Sequence, residues 1–125
     1  MKKISLILFI SVIIISMSAC GVDFDGSRMG NENEFIMEYR VLNTTDTQEL
    51  TAKAGDTIRA EITAKRGSLS IKIQKDGAEP IYERDGISVS NEFEVEVAED
   101  GVYTVEVTGK RAKGSVCFVV ENVSI

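Results

Sequence analysis

The chain has 125 residues with 14 basic and 20 acidic side chains, no histidine and no tryptophan. This length suits one domain. The lack of histidine excludes Ser-His-Asp and Cys-His catalysis and removes the commonest transition-metal ligand, while the acidic excess argues against nucleic acid as a partner.

The first residues have the pattern of a bacterial export signal. Lys2 and Lys3 precede a run over 4–17 that contains only apolar residues and serine. A basic start followed by a short apolar run is typical of a signal peptide. The run is shorter than the roughly 20 apolar residues of a spanning helix, and an uncleaved membrane anchor is the alternative. We therefore predict a signal peptide over residues 1–19.

The segment Met17-Ser18-Ala19-Cys20 resembles the lipobox of bacterial lipoproteins, with methionine at the position where leucine is commoner. The resemblance implies cleavage before Cys20, acylation of that cysteine (palmitate among the chains) and attachment to the extracytoplasmic face of the cell membrane. One acyl chain anchors only marginally, but the family carries at least two. Cys117 is then left without an intrachain disulfide partner, and its apolar neighbours predict a buried, inert thiol.

Residues 20–33 are dominated by Gly, Asn, Asp and Ser and show no periodicity. We interpret this segment as a flexible tether that carries the lipidated Cys20. Asp23, Asp25 and Gly26 are similar to the start of a calcium loop, but Arg28 stands where an EF-hand requires glycine. We therefore expect a solvated linker and no metal site.

Apolar and polar residues alternate with period two in five later segments, namely 35–42, 58–65, 69–74, 92–97 and 103–108. This alternation indicates half-buried strands. The segment 115–123 is apolar on both faces at its centre, which indicates a covered strand, and weaker strands are expected at 48–53 and 80–84. Glycine-containing turn signals separate these segments. The pattern predicts an all-β, antiparallel, jelly-roll-like β-sandwich of about seven to eight strands over residues 34–125.

The same alternation predicts which side chains face the core and which face water. Glu92, Glu94 and Glu96 should form a solvated row on one strand face, with a cation-binding or basic-ligand patch as the alternative. The predicted core residues are Tyr39, Ile58, Ile62, Ile71, Ile73, Phe93, Val95, Tyr103, Val105 and Phe118.

The segment from Gly109 to Gly114 links two strand-like stretches and contains the only predicted basic cluster: Lys110, Arg111 and Lys113. Such a short link favours a hairpin between antiparallel neighbours. The three cations at its tip are candidate contacts to an anionic wall polymer or to lipid headgroups, and a charged cap that keeps the edge soluble is the alternative. Tyr82 is the best aromatic candidate for an exposed ligand contact, with packing at the rim as its alternative.

The order of turns and strands from Gly55-Asp56-Thr57-Ile58, through Gly67–Ile71, Asp76-Gly77 and Ile81-Tyr82, to Gly101–Val107 resembles bacterial pre-peptidase C-terminal domains and GOLD-like domains. The resemblance implies a jelly-roll-like sandwich with an accessory or binding role and no active-site residues. We expect a lipid-anchored extracytoplasmic binding or scaffolding module without cofactor or catalytic activity, whose partner is an envelope protein or a cell-wall glycan. The alternatives are a structural or assembly-factor lipoprotein with no small ligand, and a carboxylate-based hydrolase.

Overall fold

The computed structural model describes residues 22–122. The predicted signal peptide and the lipidation of Cys20 lie outside this range. Seven strands are present: β1 Phe24–Gly30, β2 Glu34–Leu42, β3 Thr45–Ala52, β4 Thr57–Lys75, β5 Pro80–Ile87, β6 Asn91–Glu96 and β7 Gly101–Glu121. All their pairings are antiparallel. No helix in this part of the chain is long and apolar enough to cross a membrane. The predicted all-β antiparallel sandwich is confirmed.

Two long strands, β4 and β7, organise the fold. They pair with each other from Thr57 opposite Glu121 to Lys75 opposite Tyr103. At one end this ribbon is flanked by β6 on one side and by β2 and then β1 on the other, which makes a first half-sheet. At its other end the ribbon is flanked by β5 and β3, which makes a second half-sheet. The ribbon therefore joins both layers of the sandwich.

The ribbon changes register where the two half-sheets meet. In β4 the buried positions are the even-numbered Ile58 and Ile62 before the change and the odd-numbered Ile71 and Ile73 after it. In β7 the buried positions switch from odd to even in the same region. A one-residue slip moves a whole set of side chains to the other face of a strand. Because both strands slip, the apolar residues of both half-sheets stay in one core.

The backbone at this bend explains the slip. Gly67 in β4 has a φ of +69°, and Arg111 opposite it in β7 has a φ of +47°. A β-carbon on Gly67 would lie 2.3 Å from the carbonyl oxygen of Arg111, so the strands approach closely only because this residue is glycine. The Asn43 side chain accepts a hydrogen bond from the backbone N–H of Arg111 at 3.0 Å. These features are typical of β-bulges, which bend a strand without ending it.

The hairpin predicted at residues 109–114 is not present. The segment 109–114 does not reverse the chain, because β7 continues through it and both of its halves pair with β4. The turn expected near Gly67 is likewise a bulge within β4. Glycine occurs in bulges as readily as in turns. The glycine-containing segments were therefore correctly identified as irregular backbone, but the prediction that they reverse the chain was wrong.

The predicted tether is also corrected in part. Residues 24–30 form β1, which pairs with β2 along its whole length. Arg28 donates hydrogen bonds to the Asp46 carboxylate at 2.9 Å and to the carbonyl oxygen of Thr47 at 3.0 Å. Phe24 packs against the core. Period-two alternation is missing here because β1 is an edge strand that is mostly exposed on both faces.

Nine of the ten predicted core residues are buried, and Phe93 is half-buried at the margin of the core. Phe93 is less covered because β6 is an edge strand. Glu92, Glu94 and Glu96 are exposed as expected. Cys117 is half-buried rather than buried, because Val116 and Phe118 on either side of it point into the core. Burial, followed by the charges of Glu61 and Glu34, raises the pKa of its thiol.

Candidate functional site

Five basic side chains meet at the bend of the ribbon. The register of β4 and β7 places Arg66 opposite Lys113, and Ser68 opposite Lys110. This brings the dipeptide Lys65-Arg66 beside the three cations predicted from the sequence. We call this group the basic corner, and its members are Lys65, Arg66, Lys110, Arg111 and Lys113. All are exposed except Lys113, which is half-buried.

The basic corner stands out against the charge of the remaining protein. Residues 22–122 contain twelve basic and twenty acidic side chains. Outside the corner, five of the remaining seven basic residues form ion pairs: Arg28, Arg40, Arg59, Lys72 and Lys75. Within the described residues, no carboxylate lies within ion-pairing distance of any corner residue. The cations at the bend are therefore available to an outside anion.

A depression of about 380 Å³ adjoins the basic corner on the outer face of the first half-sheet. Its base carries one residue from each of four neighbouring strands, in the order Ser27, Glu38, Ser115 and Thr63. Neighbouring strands lie about 4.8 Å apart, so this row of three hydroxyls and one carboxylate extends over roughly 14 Å. Lys65, Lys113 and Arg40 contribute charged side chains to its lining.

Glycine backbone forms part of the depression. Gly26 of β1 and Gly114 of β7 lie on either side of Tyr39 of β2. A β-carbon at Gly114 would lie 1.9 Å from the carbonyl oxygen of Thr63, and one at Gly26 would lie 2.1 Å from that of Glu38. Both positions therefore require glycine, because a side chain there would collide with the backbone of a neighbouring strand. Burial raises the pKa of Tyr39 to about 12, which keeps its phenol neutral below that pH.

Two charged side chains of the depression, Arg40 and Glu38, differ in whether they have an ion-pair partner. Arg40 is held by Asp25, whose carboxylate oxygen lies 2.9 Å from the guanidinium. Glu38 is exposed and has no basic side chain within ion-pairing distance among residues 22–122. The depression thus combines two unpaired ammonium groups with one unpaired carboxylate and several hydroxyls.

The structure places the sequence-predicted site residues in two different regions. Lys110, Arg111 and Lys113 lie at the bend, and Lys113 also lines the depression. Tyr82 does not line it, because its ring stacks on Phe93 at a centroid distance of 4.2 Å and an angle of 11°. This stack joins β5 of the second half-sheet to β6 of the first, so Tyr82 closes one edge of the sandwich and packs at the rim.

The sequence analysis missed the contribution of β1, β2 and β4 to the site. Arg66 was expected in a turn, and Lys65 at the polar end of the preceding strand. Glu38 and Arg40 looked like ordinary solvent-facing strand residues. A signal was available in the alternation, which changes parity near residue 67 and again near residue 111. Matching changes of parity indicate two strands that bend together, and pairing them would have joined the two basic segments.

Four further depressions on the described surface, of about 210–250 Å³, are each bordered by carboxylates. One of about 230 Å³ on the outer face of the second half-sheet is lined by Glu83, Asp85 and Glu106, and Glu106 is paired with Lys72 at 3.3 Å. Within residues 22–122, no group of three cysteine, aspartate or glutamate side chains is arranged to hold a metal ion. Asp25, from the calcium-like segment, is the ion-pair partner of Arg40.

No protein-family model and no curated protein matches this sequence. Solved structures with a similar fold include PliG of Aeromonas hydrophila, a periplasmic inhibitor of g-type lysozyme, at 18% identity and a TM-score of 0.49 over 81% of this chain and 89% of that one. They also include a CBM4 module, at 12% identity and a TM-score of 0.44 over 78% of this chain and 77% of that one. A third is the low-affinity xylan-binding module CBM86 of Roseburia intestinalis, at 13% identity and a TM-score of 0.44 over 78% of this chain and 86% of that one.

Proposed function

We propose that this protein is a lipid-anchored extracytoplasmic binding module whose basic corner contacts an anionic partner in the cell envelope. The observation that carries the proposal is that five cations, none with a carboxylate partner among residues 22–122, meet at the bend of an otherwise acidic domain. Like charges gathered at one place repel each other, and an anionic partner relieves that repulsion. The anchor follows from the lipobox-like segment that ends at Cys20.

Anchoring is tested in cells with the full chain. We expect the native protein to fractionate with membranes, and we expect Cys20→Ala to be released or to remain uncleaved. Correct cleavage of Cys20→Ala together with unchanged membrane attachment would contradict lipidation at this residue.

The role of the basic corner is tested with the full chain held in vesicles of phosphatidylcholine, a lipid with no net charge. Binding to isolated cell-wall material would be measured for the native protein and for the variant Arg66→Ser, Lys110→Ser, Lys113→Ser. Three lost contacts of ion-pair strength predict about tenfold weaker binding, and high salt should weaken the native protein in the same direction. A control with the same loss of charge replaces Lys53, Lys72 and Arg84, which lie away from the corner, with serine.

Two results would overturn the proposal. Equal loss of binding in the corner variant and in the control would show that net charge alone matters. Full binding by the corner variant would make these cations a charged cap that keeps the bend soluble.

A further inference from the structure

We infer that the depression beside the basic corner is a binding site for an acidic saccharide, meaning a sugar unit that carries a carboxylate or a phosphate. This inference rests on the proposed function and deepens it by naming the class of ligand. The depression has a volume of about 380 Å³, which lies within the range of about 300–1,000 Å³ that small-molecule pockets occupy.

The cations of the depression account for the acidic part of the ligand. Lys65 and Lys113 project into it from β4 and β7, and neither has a carboxylate partner among residues 22–122. An ammonium group is a compact point charge that binds either a carboxylate or a phosphate. The third cation, Arg40, is already neutralised by Asp25, so the free positive charge lies on the β4 and β7 side.

The carboxylate of Glu38 distinguishes a saccharide from a simple anion. A site that served only to attract negative charge would not hold an unpaired carboxylate next to its cations, because that carboxylate repels the ligand. An ionised carboxylate is solely an acceptor of hydrogen bonds. Glu38 therefore fits a ligand that brings hydroxyl donors together with its negative charge.

The hydroxyl row fits the same ligand. Ser27 and Ser115 flank Glu38 on neighbouring strands, and Thr63 continues the row. Each hydroxyl can donate one hydrogen bond and accept others, as sugar hydroxyls require. A row of about 14 Å with cations at one end suits a short saccharide whose acidic group lies toward Lys65 and Lys113.

The test measures binding of small probes to the full chain in uncharged detergent micelles by calorimetry. The acidic saccharides are trigalacturonate, which carries carboxylates, and glucose 1-phosphate, which carries a phosphate, so the two arms distinguish the acidic group. Maltotriose supplies hydroxyls without charge, and tripolyphosphate supplies charge without hydroxyls. Two variants are measured: the single substitution Glu38→Gln, and the double substitution Lys65→Ser, Lys113→Ser. The matched control for Glu38→Gln is Glu49→Gln, on the outer face of the second half-sheet.

We expect at least one acidic saccharide to bind, while maltotriose and tripolyphosphate bind at least tenfold more weakly. Glu38→Gln should weaken that binding about tenfold, which is the usual effect of losing a hydrogen bond to a charged group, although the substitution makes the depression more positive. The Lys65, Lys113 variant should also lose binding, and Glu49→Gln should retain it. Thermal unfolding of each variant shows whether it remains folded.

Two results would overturn the inference and differ in what they say of the proposed function. If tripolyphosphate binds as well as the saccharides and Glu38→Gln tightens it, the depression is a general anion contact and the proposed function stands. If no acidic saccharide and no polyanion binds the native chain, both the inference and the proposed role of the basic corner fail.

Discussion

Replacing Gly67 with alanine tests the close approach that bends the β4–β7 ribbon. The residue has a φ of +69°, where an L side chain costs about 1–2 kcal/mol. Its β-carbon would also lie 2.3 Å from the Arg111 carbonyl oxygen and 2.4 Å from that of Lys110. Both obstacles are backbone atoms, so the two strands must separate, which adds about 1–3 kcal/mol, the cost typical of overpacking. We expect Gly67→Ala to lower the free energy of unfolding by about 2–5 kcal/mol.

Gly77→Ala provides a matched control. Gly77 lies in the turn between β4 and β5 with a φ of +78°, and a β-carbon there would have nothing within 4 Å. The two glycines thus share the conformational cost and differ in the backbone collision. Each kcal/mol lowers the melting temperature of a domain of this size by about 4–8 °C. We expect calorimetry or urea unfolding to show the larger loss for Gly67→Ala. Losses that agree within about 0.5 kcal/mol would refute the collision and with it this account of the bend.

Three further predictions concern single side chains. Arg111→Gly should raise the free energy of unfolding by up to about 1 kcal/mol in urea titrations, because glycine adopts the φ of +47° without strain, and a loss of stability would contradict this reading. Tyr39 should make the protein lose about 2 kcal/mol of stability as the pH rises from 10 to about 12. The unfolded phenol ionises near 10 while the folded one stays neutral, so the contribution is complete below pH 10, and Tyr39→Phe should flatten this part of the pH profile. Cys117 should react with iodoacetamide at pH 8 more slowly in the folded protein than in the protein unfolded by urea, because the raised pKa leaves less thiolate, and equal rates would show that the thiol is freely exposed.

The local sequence pattern was enough to predict which segments form most of the strands and which side chains lie in the core. Alternation with period two identifies both that a segment is extended and which of its faces is apolar, as Ile71, Ile73, Tyr103 and Val105 show. The edge strand β1 was missed, because a strand exposed on both faces bears no alternation that burial would impose.

Part of the candidate site was also visible in the sequence. Lys110, Arg111 and Lys113 are neighbours along the chain, so their clustering needs no knowledge of the fold. The other residues that line the depression with Lys113 come mainly from β1, β2 and β4. No local pattern relates Glu38 to Ser115 or Lys65 to Lys113.

The sequence by itself determined that the described chain is extended, that it is acidic, and where its backbone departs from regular strand. These properties depend on side-chain chemistry and on neighbours a few residues apart. Only the tertiary structure decided that Gly67 and Arg111 lie in facing bulges rather than in two turns. Glycine permits either conformation at the same local cost, and the choice depends on which distant strand supplies the next hydrogen bonds. That choice of pairing unites two basic segments more than forty positions apart and creates the depression beside them.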